Sequence, residues 1–250
     1  MTQKQQLKIG ISIGDLNGIG AEVVLKTFED ERILEFCTPV IFANSKVLSF
    51  IKKHLNIDLQ FQGISDLNKI IDGKVNVYNV WKENVNINFG TPDTKVGSYA
   101  LKSLEAATEA LKNKQVDILV TAPINKNTIQ SEAFNFPGHT DYLAKELQGD
   151  SLMFMVSDSL RVGLLTDHVA VKNVASTITP QLIEKKVNSI YHSLEEDFRI
   201  RQPKIAVLGI NPHSGDNGVI GKEDEEVLFQ KMILVLGFPI YGAAAEKPRL

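Results

Sequence analysis

Three of the five histidines stand where a side chain could do chemistry. His139 in FPGHTDYLA, His168 in LLTDHVAV and His213 in NPHSGDNG each lie at or just beyond a predicted strand end, or in a loop marked by Gly or Pro. Such loops gather at the carboxyl edge of an open parallel sheet, where ligands bind. Neutral imidazole binds zinc and similar ions, and it is also a common acid or base. The pattern predicts a metal or acid–base site, or loop histidines that only bond backbone carbonyls.

The other two histidines have a different setting. His54 follows two lysines, and His192 lies opposite Ile190 and Leu194 on its predicted helix. We expect both imidazoles to be exposed to solvent.

The loop GDLNGIGAE, residues 14–22, joins the first predicted strand to the first helix. Its glycines do not match the pattern Gly-x-Gly-x-x-Gly, so the loop gives no dinucleotide-binding fingerprint. Asp15 either belongs to a tight turn near the helix start, where a carboxylate interacts favourably with the helix dipole, or contacts a ligand. Both interpretations stay open at this point.

Short apolar runs alternate with amphipathic stretches along the chain. The apolar runs predict strands at residues 7–14, 39–44, 74–80, 117–124, 151–157, 161–166 and 204–211. Because helices separate most of them, the pattern favours an α/β fold with mostly parallel sheets and crossover helices.

Two helices are predicted from their apolar spacing. In residues 94–113 the apolar side chains recur at steps of three and four and form one stripe. In residues 180–199, Thr179 is the expected N-cap and Pro180 the first helical residue. The stripes consist of Val96, Tyr99, Ala100, Leu104, Ala107 and Leu111 in the first helix, and of Ile183, Val187, Ile190 and Leu194 in the second.

Composition excludes several classes of protein. The 250 residues can bury a sizeable core, as one large domain or two lobes. A net charge of -3 without a basic block gives no footprint for nucleic acid or for an anionic membrane. The single cysteine, Cys37, excludes an internal disulfide framework. No signal peptide or membrane-spanning run is present, so we expect a soluble cytoplasmic protein.

Five segments together resemble the 4-hydroxythreonine-4-phosphate dehydrogenase family. They occur in the family's order and spacing, from about residue 7 to residue 228, and read ISIGDLNGIGAEVVLK, VTAPINKNTI, FPGHTDYLA, TDHVAV and GINPHSGDNGVIGKEDEE. The departures are mild: Leu16 and Ala21 stand where the family usually has proline, and Asp141 and Tyr142 stand where Glu and Phe are common.

The resemblance implies an isocitrate/isopropylmalate-dehydrogenase-like α/β/α fold with two lobes, here residues 1–125 and 126–250. It implies a homodimer with active sites near the subunit interface. The implied reaction is the NAD-dependent oxidation and decarboxylation of 4-phosphohydroxy-L-threonine to 3-amino-2-oxopropyl phosphate, on the route to pyridoxal phosphate. A divalent ion (Zn, Mg or Co) is also implied.

The resemblance also implies roles for single residues. His168 and His213 match two metal ligands, while His139 and Thr140 match positions that contact substrate. His139 is expected to donate a hydrogen bond or to relay a proton. Lys126 is a candidate for substrate contact or proton transfer, or is simply solvated. No residue is assigned to NAD.

The end of the chain departs from the family pattern. The family continues through a Tyr-His-Asp-Gln segment with a third metal histidine and then residues for the phosphate and NAD, whereas this chain ends AAAEKPRL. We expect a truncated member in which the C-terminal return to the first lobe is missing. Sheet edges and the run MILVL, residues 232–236, are then expected to be exposed. Asp167 or a partner chain could replace the third ligand.

Two alternatives to this function remain open at this point. One is a related dehydrogenase acting on a four-carbon sugar-acid phosphate, such as threonate or erythronate 4-phosphate. The other is a non-catalytic remnant that acts only as a dimerisation or interaction module.

Overall fold

The protein is described by a computed structural model that covers residues 6–229 and 240–243. Contacts divide the chain into two compact units, residues 1–150 and 151–250. The predicted apolar run at residues 232–236 lies outside the described residues. Within them, no helix is both long and apolar enough to cross a membrane.

The first unit is a parallel α/β sheet with the strand order β3-β4-β2-β1-β5. Its strands are β1 Leu7–Ser12, β2 Cys37–Ala43, β3 Gln62–Ile64, β4 Asn76–Asn79 and β5 Ile118–Thr121. Its α-helices are α1 Gly20–Thr27, α2 Ser45–His54, α3 Thr94–Lys112 and α4 His139–Glu146, with 3₁₀ turns at Glu31–Glu35 and Leu67–Lys69.

The core of the first unit lies on both faces of β2, all seven residues of which are buried. Ile41 packs in the cluster that contains Leu25 of α1 and Leu48 of α2, whereas Phe42 packs in the cluster with Ala107 of α3. Alternate residues of a strand point to opposite faces, so this apolar run serves helices on both sides. Among the described strands, β3 and β5 lie at the two edges of this sheet.

The second unit has shorter strands. They are β6 Phe154–Val156, β7 Arg161–Gly163, β8 Ile205–Leu208 and β9 Ile240–Ala243. Its helical segments are a 3₁₀ turn Val171–Asn173, α5 Val174–Thr177, α6 Pro180–Glu196, a turn Pro212–Gly215 and a π-helical turn Asp224–Phe229. The core is formed by the buried stripe of α6 together with Ile205.

Parallel pairing does not extend throughout the second unit. β8 and β9 are parallel, but β6 and β7 pair antiparallel. Ser157 N donates to Leu160 O at 2.8 Å and closes a tight turn between them. A turn this short cannot make the crossover that parallel strands need. The described sheets are therefore mostly parallel, as predicted, and β6–β7 is the exception.

Both helix predictions are confirmed. The predicted stripe of α6 is buried, and Thr179 Oγ1 accepts from Leu182 N at 3.2 Å with Pro180 in the first turn. The predicted stripe of α3 is also buried, except that Leu111 is half-buried.

The predicted lobe boundary between residues 125 and 126 falls inside the first unit. The residues that follow it pack on α3, where Phe134 and Tyr142 join the cluster of Leu101 and Leu104. Phe134 is fully buried there. These contacts tie residues 129–143 to α3 in the first unit.

Candidate functional site

The loops after β1 and β5 are joined at the carboxyl edge of the first sheet. Asp15 N donates to Pro123 O at 2.9 Å, and Ala122 N donates to Ser12 O at 3.0 Å. Gly14 has φ +70, and a Cβ there would lie 2.2 Å from Pro123 O. Close approach of two backbones thus requires the glycine.

Asp15 forms a turn and does not cap α1. Its Oδ1 accepts from Asn17 N at 3.0 Å, and the N-cap position of α1 is Ile19, which makes no side-chain cap bond. The tight-turn interpretation therefore agrees with the structure. Contact of Asp15 with a ligand stays a prediction.

Lys126 lies on the turn that follows β5. Asn125 Oδ1 accepts from the backbone N–H of Asn127 and Thr128, at 3.0 and 3.2 Å, and holds this turn. The turn is packed closely on α3, since a Cβ on Gly97 would lie 2.1 Å from Thr128 O. The Lys126 side chain is exposed. A turn held by these contacts therefore carries an exposed cation.

His139 is the first residue of α4 and is half-buried. Its Nε2 is buried and has no hydrogen-bond partner among the residues that the structure describes. Burial lowers the pKa of His139, and the charge of Lys126 lowers it further. The imidazole is therefore neutral at neutral pH, with one nitrogen available to a ligand.

α4 is fixed in place by contacts on its other side. The Tyr142 ring lies 5.4 Å from that of Phe134 and 5.6 Å from that of Phe136. Burial, with the nearby charge of Glu146, raises the pKa of Tyr142 to about 12. Lys112 Nζ of α3 lies 2.7 Å from Glu146 Oε2. These contacts hold the first turn of α4, and with it His139.

Together these groups favour an anionic ligand at the first unit. The N-terminus of α4 has no side-chain cap and carries the Asp141 carboxylate in its first turn, and helix N-termini attract anions. Thr140 follows His139 in the same turn, and the Lys126 cation is close enough to affect the imidazole. The structure thus brings together three of the predicted residues: Lys126, His139 and Thr140.

The two predicted metal ligands lie in the second unit. His168 and His213 are both exposed, and both have a left-handed backbone, with φ of 50° and 52°. Histidine tolerates this conformation better than most residues, yet it is uncommon and marks strained sites.

A complete metal centre is not formed by the described residues. Imidazole nitrogen is a suitable donor for zinc, and His168 and His213 could supply two such ligands. However, the described ranges contain no group of three or more His, Cys, Asp or Glu that could hold an ion. The residues present therefore do not fit a three-ligand centre on their own.

Asp224 is a residue of the second unit that the sequence did not single out. Its carboxylate is fully buried and accepts from Ile210 N and Asn211 N, at 2.7 and 2.9 Å, just before His213. The signal in the sequence was the acidic run GKEDEE after the glycine-rich loop. An acidic run is usually solvated, so burial could not be predicted from it.

The remaining histidines agree with expectation. His54 and His192 are both exposed. The His54 ring also stacks on the rings of Phe50 and Phe89, at 6.2 and 4.9 Å between centroids.

Comparison with known proteins decides the family. The family model of the pyridoxal phosphate biosynthetic protein PdxA matches residues 35–234. The chain belongs to the PdxA family. A 4-hydroxythreonine-4-phosphate dehydrogenase of Bacteroides thetaiotaomicron is 41% identical over 92% of this chain and 64% of the relative. The chain is also 29% identical to a putative D-threonate 4-phosphate dehydrogenase of Oceanobacillus iheyensis, over 87% of this chain and 67% of that protein.

A solved PdxA-family structure has the same fold. A crystal structure of a 4-hydroxythreonine-4-phosphate dehydrogenase from Burkholderia phymatum superposes with a TM-score of 0.81 at 28% identity, covering 96% of this chain and 74% of that one. The predicted α/β fold class and the family resemblance are thereby confirmed. The chain spans about two thirds of the length of the relatives it matches.

Proposed function

We propose that the chain acts as a 4-hydroxythreonine-4-phosphate dehydrogenase in pyridoxal phosphate biosynthesis. The reaction would oxidise 4-phosphohydroxy-L-threonine with NAD and release carbon dioxide, giving 3-amino-2-oxopropyl phosphate. Membership of the PdxA family supports the reaction class. The observation on which the site rests is the buried Nε2 of His139, which has no hydrogen-bond partner in the part of the chain that the structure describes, beside the Lys126 cation.

His139 has the state that the proposal needs. A neutral imidazole can donate Nε2–H to a substrate oxygen, or accept the hydroxyl proton as hydride leaves, depending on its tautomer. Burial disfavours the charged imidazolium, so the ring stays neutral and binds the substrate through a hydrogen bond. We favour the donor role, because it needs no change in protonation.

Lys126 and Thr140 would bind the anionic part of the substrate. A phosphorylated hydroxy amino acid carries a phosphate and a carboxylate, and both are attracted by an ammonium and by the N-terminus of a helix. The rigid turn and the anchored α4 hold these groups before substrate arrives, which lowers the entropic cost of binding.

The cofactors belong to the same proposal. NAD supplies the acceptor for the hydride, and no residue is assigned to it. A divalent ion would take His168 and His213 as two ligands, with a further ligand from a partner chain, because Asp167 does not complete a group of three among the described residues. A homodimer is likewise proposed from the resemblance, and a location in the cytoplasm from the sequence.

A second substrate is favoured by one observation. The Oceanobacillus iheyensis relative is named a putative D-threonate 4-phosphate dehydrogenase. Threonate 4-phosphate has a hydroxyl where 4-phosphohydroxy-L-threonine has an amine, so both carry the anions that Lys126 and α4 would bind. The two substrates must therefore be compared directly.

The test is NADH formation by the full chain with each substrate, with and without added Zn²⁺, Mg²⁺ or Co²⁺. We expect turnover with 4-phosphohydroxy-L-threonine and loss of about 10²–10⁴-fold in kcat/KM in His139→Ala. His192→Ala is the matched control, since His192 is exposed on α6. Faster turnover of D-threonate 4-phosphate would support the second substrate. No turnover of either by the folded chain would contradict the proposed activity and favour a non-catalytic role.

A further inference from the structure

The carboxylate of Asp224 accepts hydrogen bonds from residues 210 and 211, at the start of one loop. Oδ1 accepts from Ile210 N at 2.7 Å, while Oδ2 accepts from Asn211 N at 2.9 Å and from Asn211 Nδ2 at 3.0 Å. The residue is fully buried, and no ion pair to it from Lys, Arg or His occurs among the described residues. A buried anion without a cation is tolerated only where hydrogen bonds satisfy it. The donors of residues 210 and 211 therefore stabilise it, and it holds them in turn.

Asp224 is itself tied to the core of the second unit. It begins the π-helical turn Asp224–Phe229, in which Glu226 N donates to Lys222 O at 2.9 Å. Val227 of this turn packs against the cluster formed by α6 and Ile205. The carboxylate thus connects the packed core to the start of the loop.

The loop that Asp224 holds is strained. Six consecutive residues have left-handed backbones, which costs free energy at every residue other than glycine. These residues are His213, Ser214, Gly215, Asp216, Asn217 and Gly218. Such a conformation persists only where surrounding contacts impose it.

Gly209 shows how close the carboxylate lies to the loop. A Cβ at this position would be 2.9 Å from Asp224 Oδ1. A side chain at residue 209 would therefore crowd the carboxylate and also Ser214 Oγ, which would lie 3.0 Å from the same Cβ.

From these contacts we infer that Asp224 is a positioning residue for His213. Its carboxylate fixes residues 210 and 211, and so sets the strained loop and the place of the imidazole two residues further on. The inference rests on the proposed function for one point, that His213 binds the metal. Groups that orient a metal ligand typically change metal affinity by about 10- to 100-fold when they are removed.

Asp224→Asn in the full chain tests this inference. The amide keeps the size of the side chain but replaces one acceptor oxygen with a donor, which then faces a backbone N–H. Glu223→Gln is the matched control. It removes a carboxylate charge at the neighbouring residue. In the wild type Asn211 Nδ2 donates to Glu223 Oε2 at 2.8 Å, and the amide oxygen of glutamine can still accept this bond.

Two measurements need no metal. We expect amide hydrogen exchange at Ile210 and Asn211 to become at least about tenfold faster in Asp224→Asn and to stay unchanged in Glu223→Gln. The NMR signal of the His213 ring should shift only in Asp224→Asn. Exchange within α6 should be unchanged in both variants, which shows that the core is intact. Unchanged exchange at residues 210 and 211, or an unshifted His213 signal, would overturn the inference.

Zinc titration then separates the inference from the proposed function. If wild-type binding depends on His213, we expect Asp224→Asn to weaken it by about 10- to 100-fold and Glu223→Gln to leave it alone. Equal affinity in wild type and Asp224→Asn would contradict the inference. If wild-type protein shows no His213-dependent binding, the metal assignment fails, and the exchange and NMR results still decide the role of Asp224.

A second variant covers the case in which Asp224→Asn does not fold. Gly209→Ala displaces the same carboxylate from the other side, through the added Cβ. It should give the same faster exchange at residues 210 and 211. Only the exchange is the readout of this variant, because the Cβ would also lie 3.0 Å from Ser214 Oγ and so act directly on the neighbour of His213. Retained protection in folded Gly209→Ala would count against the inference.

Discussion

The environment of His139 lowers the proton affinity of its imidazole in two ways. Burial removes the solvation that a charged ring would need, and Lys126 adds a repulsive charge. Because His139 begins α4 and Lys126 lies on the turn after β5, the proton affinity of the imidazole depends on the fold of that turn.

We predict that Lys126→Met raises the pKa of His139 toward its ordinary value, because the repulsive charge is removed. Lys82→Met is the control, since Lys82 is exposed and its charge does not contribute to the shift. NMR titration of the His139 ring measures both variants. An equal pKa in wild type and Lys126→Met would show that the two side chains do not interact.

His139 should also make stability depend on pH. Its pKa in the folded protein lies below the ordinary value of 6.5, so the unfolded chain binds the proton more tightly. The contribution of His139 to the free energy of unfolding is therefore fully present above pH 6.5 and is lost as pH falls through the lowered pKa. Urea unfolding measured from above pH 6.5 down through the lowered pKa should show a free energy of unfolding that depends less on pH in His139→Gln than in wild type. The same slope in both proteins would contradict this.

At the level of single residues, the sequence indicated which side chains could act in a site better than it indicated which of them lie close together. Histidines in loops after strands were identified from spacing, and the exposure of His54 and His192 followed from polar surroundings. The approach of Lys126 to His139 could not be predicted, because it depends on how residues 129–138 fold onto α3. The burial of Asp224 was missed for the same reason, since it is a tertiary effect.

At the scale of elements, α3 both supports the sheet and positions the turn of Lys126. The apolar spacing of this helix predicted its buried face, because packing of a long helix follows its periodicity. Short strands and the turns between them were less predictable: β3 was missed, and the antiparallel β6–β7 pair depends on a local turn.

Gly97→Ala should destabilise the first unit despite the helix propensity of alanine. Propensity alone would favour the change by about 1 kcal/mol. However, the Cβ would lie 2.1 Å from Thr128 O, and the backbone must shift. Such overpacking typically costs about 1–3 kcal/mol. We expect a net loss of stability by urea unfolding and weaker substrate binding, whereas exposed Ser98→Ala in the same turn should change little. Increased stability of Gly97→Ala would show that this close contact is absent.

The start of α6 offers a test of one hydrogen bond. Thr179→Ala removes the acceptor of the Leu182 N–H and should cost about 1 kcal/mol. Thr179→Ser retains the hydroxyl and should recover most of that loss. Thermal unfolding of the two variants compares them, and equal melting temperatures would argue against the cap.

At the scale of the whole molecule, the two compact units raise the question of where the first one ends. The sequence suggested residue 125, because a strand and its loop end there. The structure places residues 129–142 against α3. The sequence does not predict this packing, because apolar residues in a loop show no periodic spacing.

Two fragments distinguish the boundaries. We expect residues 1–150 to unfold cooperatively in urea, because the fragment keeps its sheet and the side chains that cover α3. Residues 1–125 lack Phe134 and Tyr142, which leaves Leu101 and Leu104 exposed. This shorter fragment should be less stable or aggregate. Equal stability of the two fragments, monitored by circular dichroism, would favour the boundary at residue 125.

The contact between Gly209 and Asp224 links two positions that are distant in the sequence. A Cβ at residue 209 would lie 2.9 Å from the carboxylate, and the carboxylate accepts the hydrogen bond of Ile210 N beside it. Each position therefore limits which substitutions the other tolerates. Among homologues that keep this loop, we expect the glycine and the acid to be inherited together, and a lineage that loses one should soon lose the other.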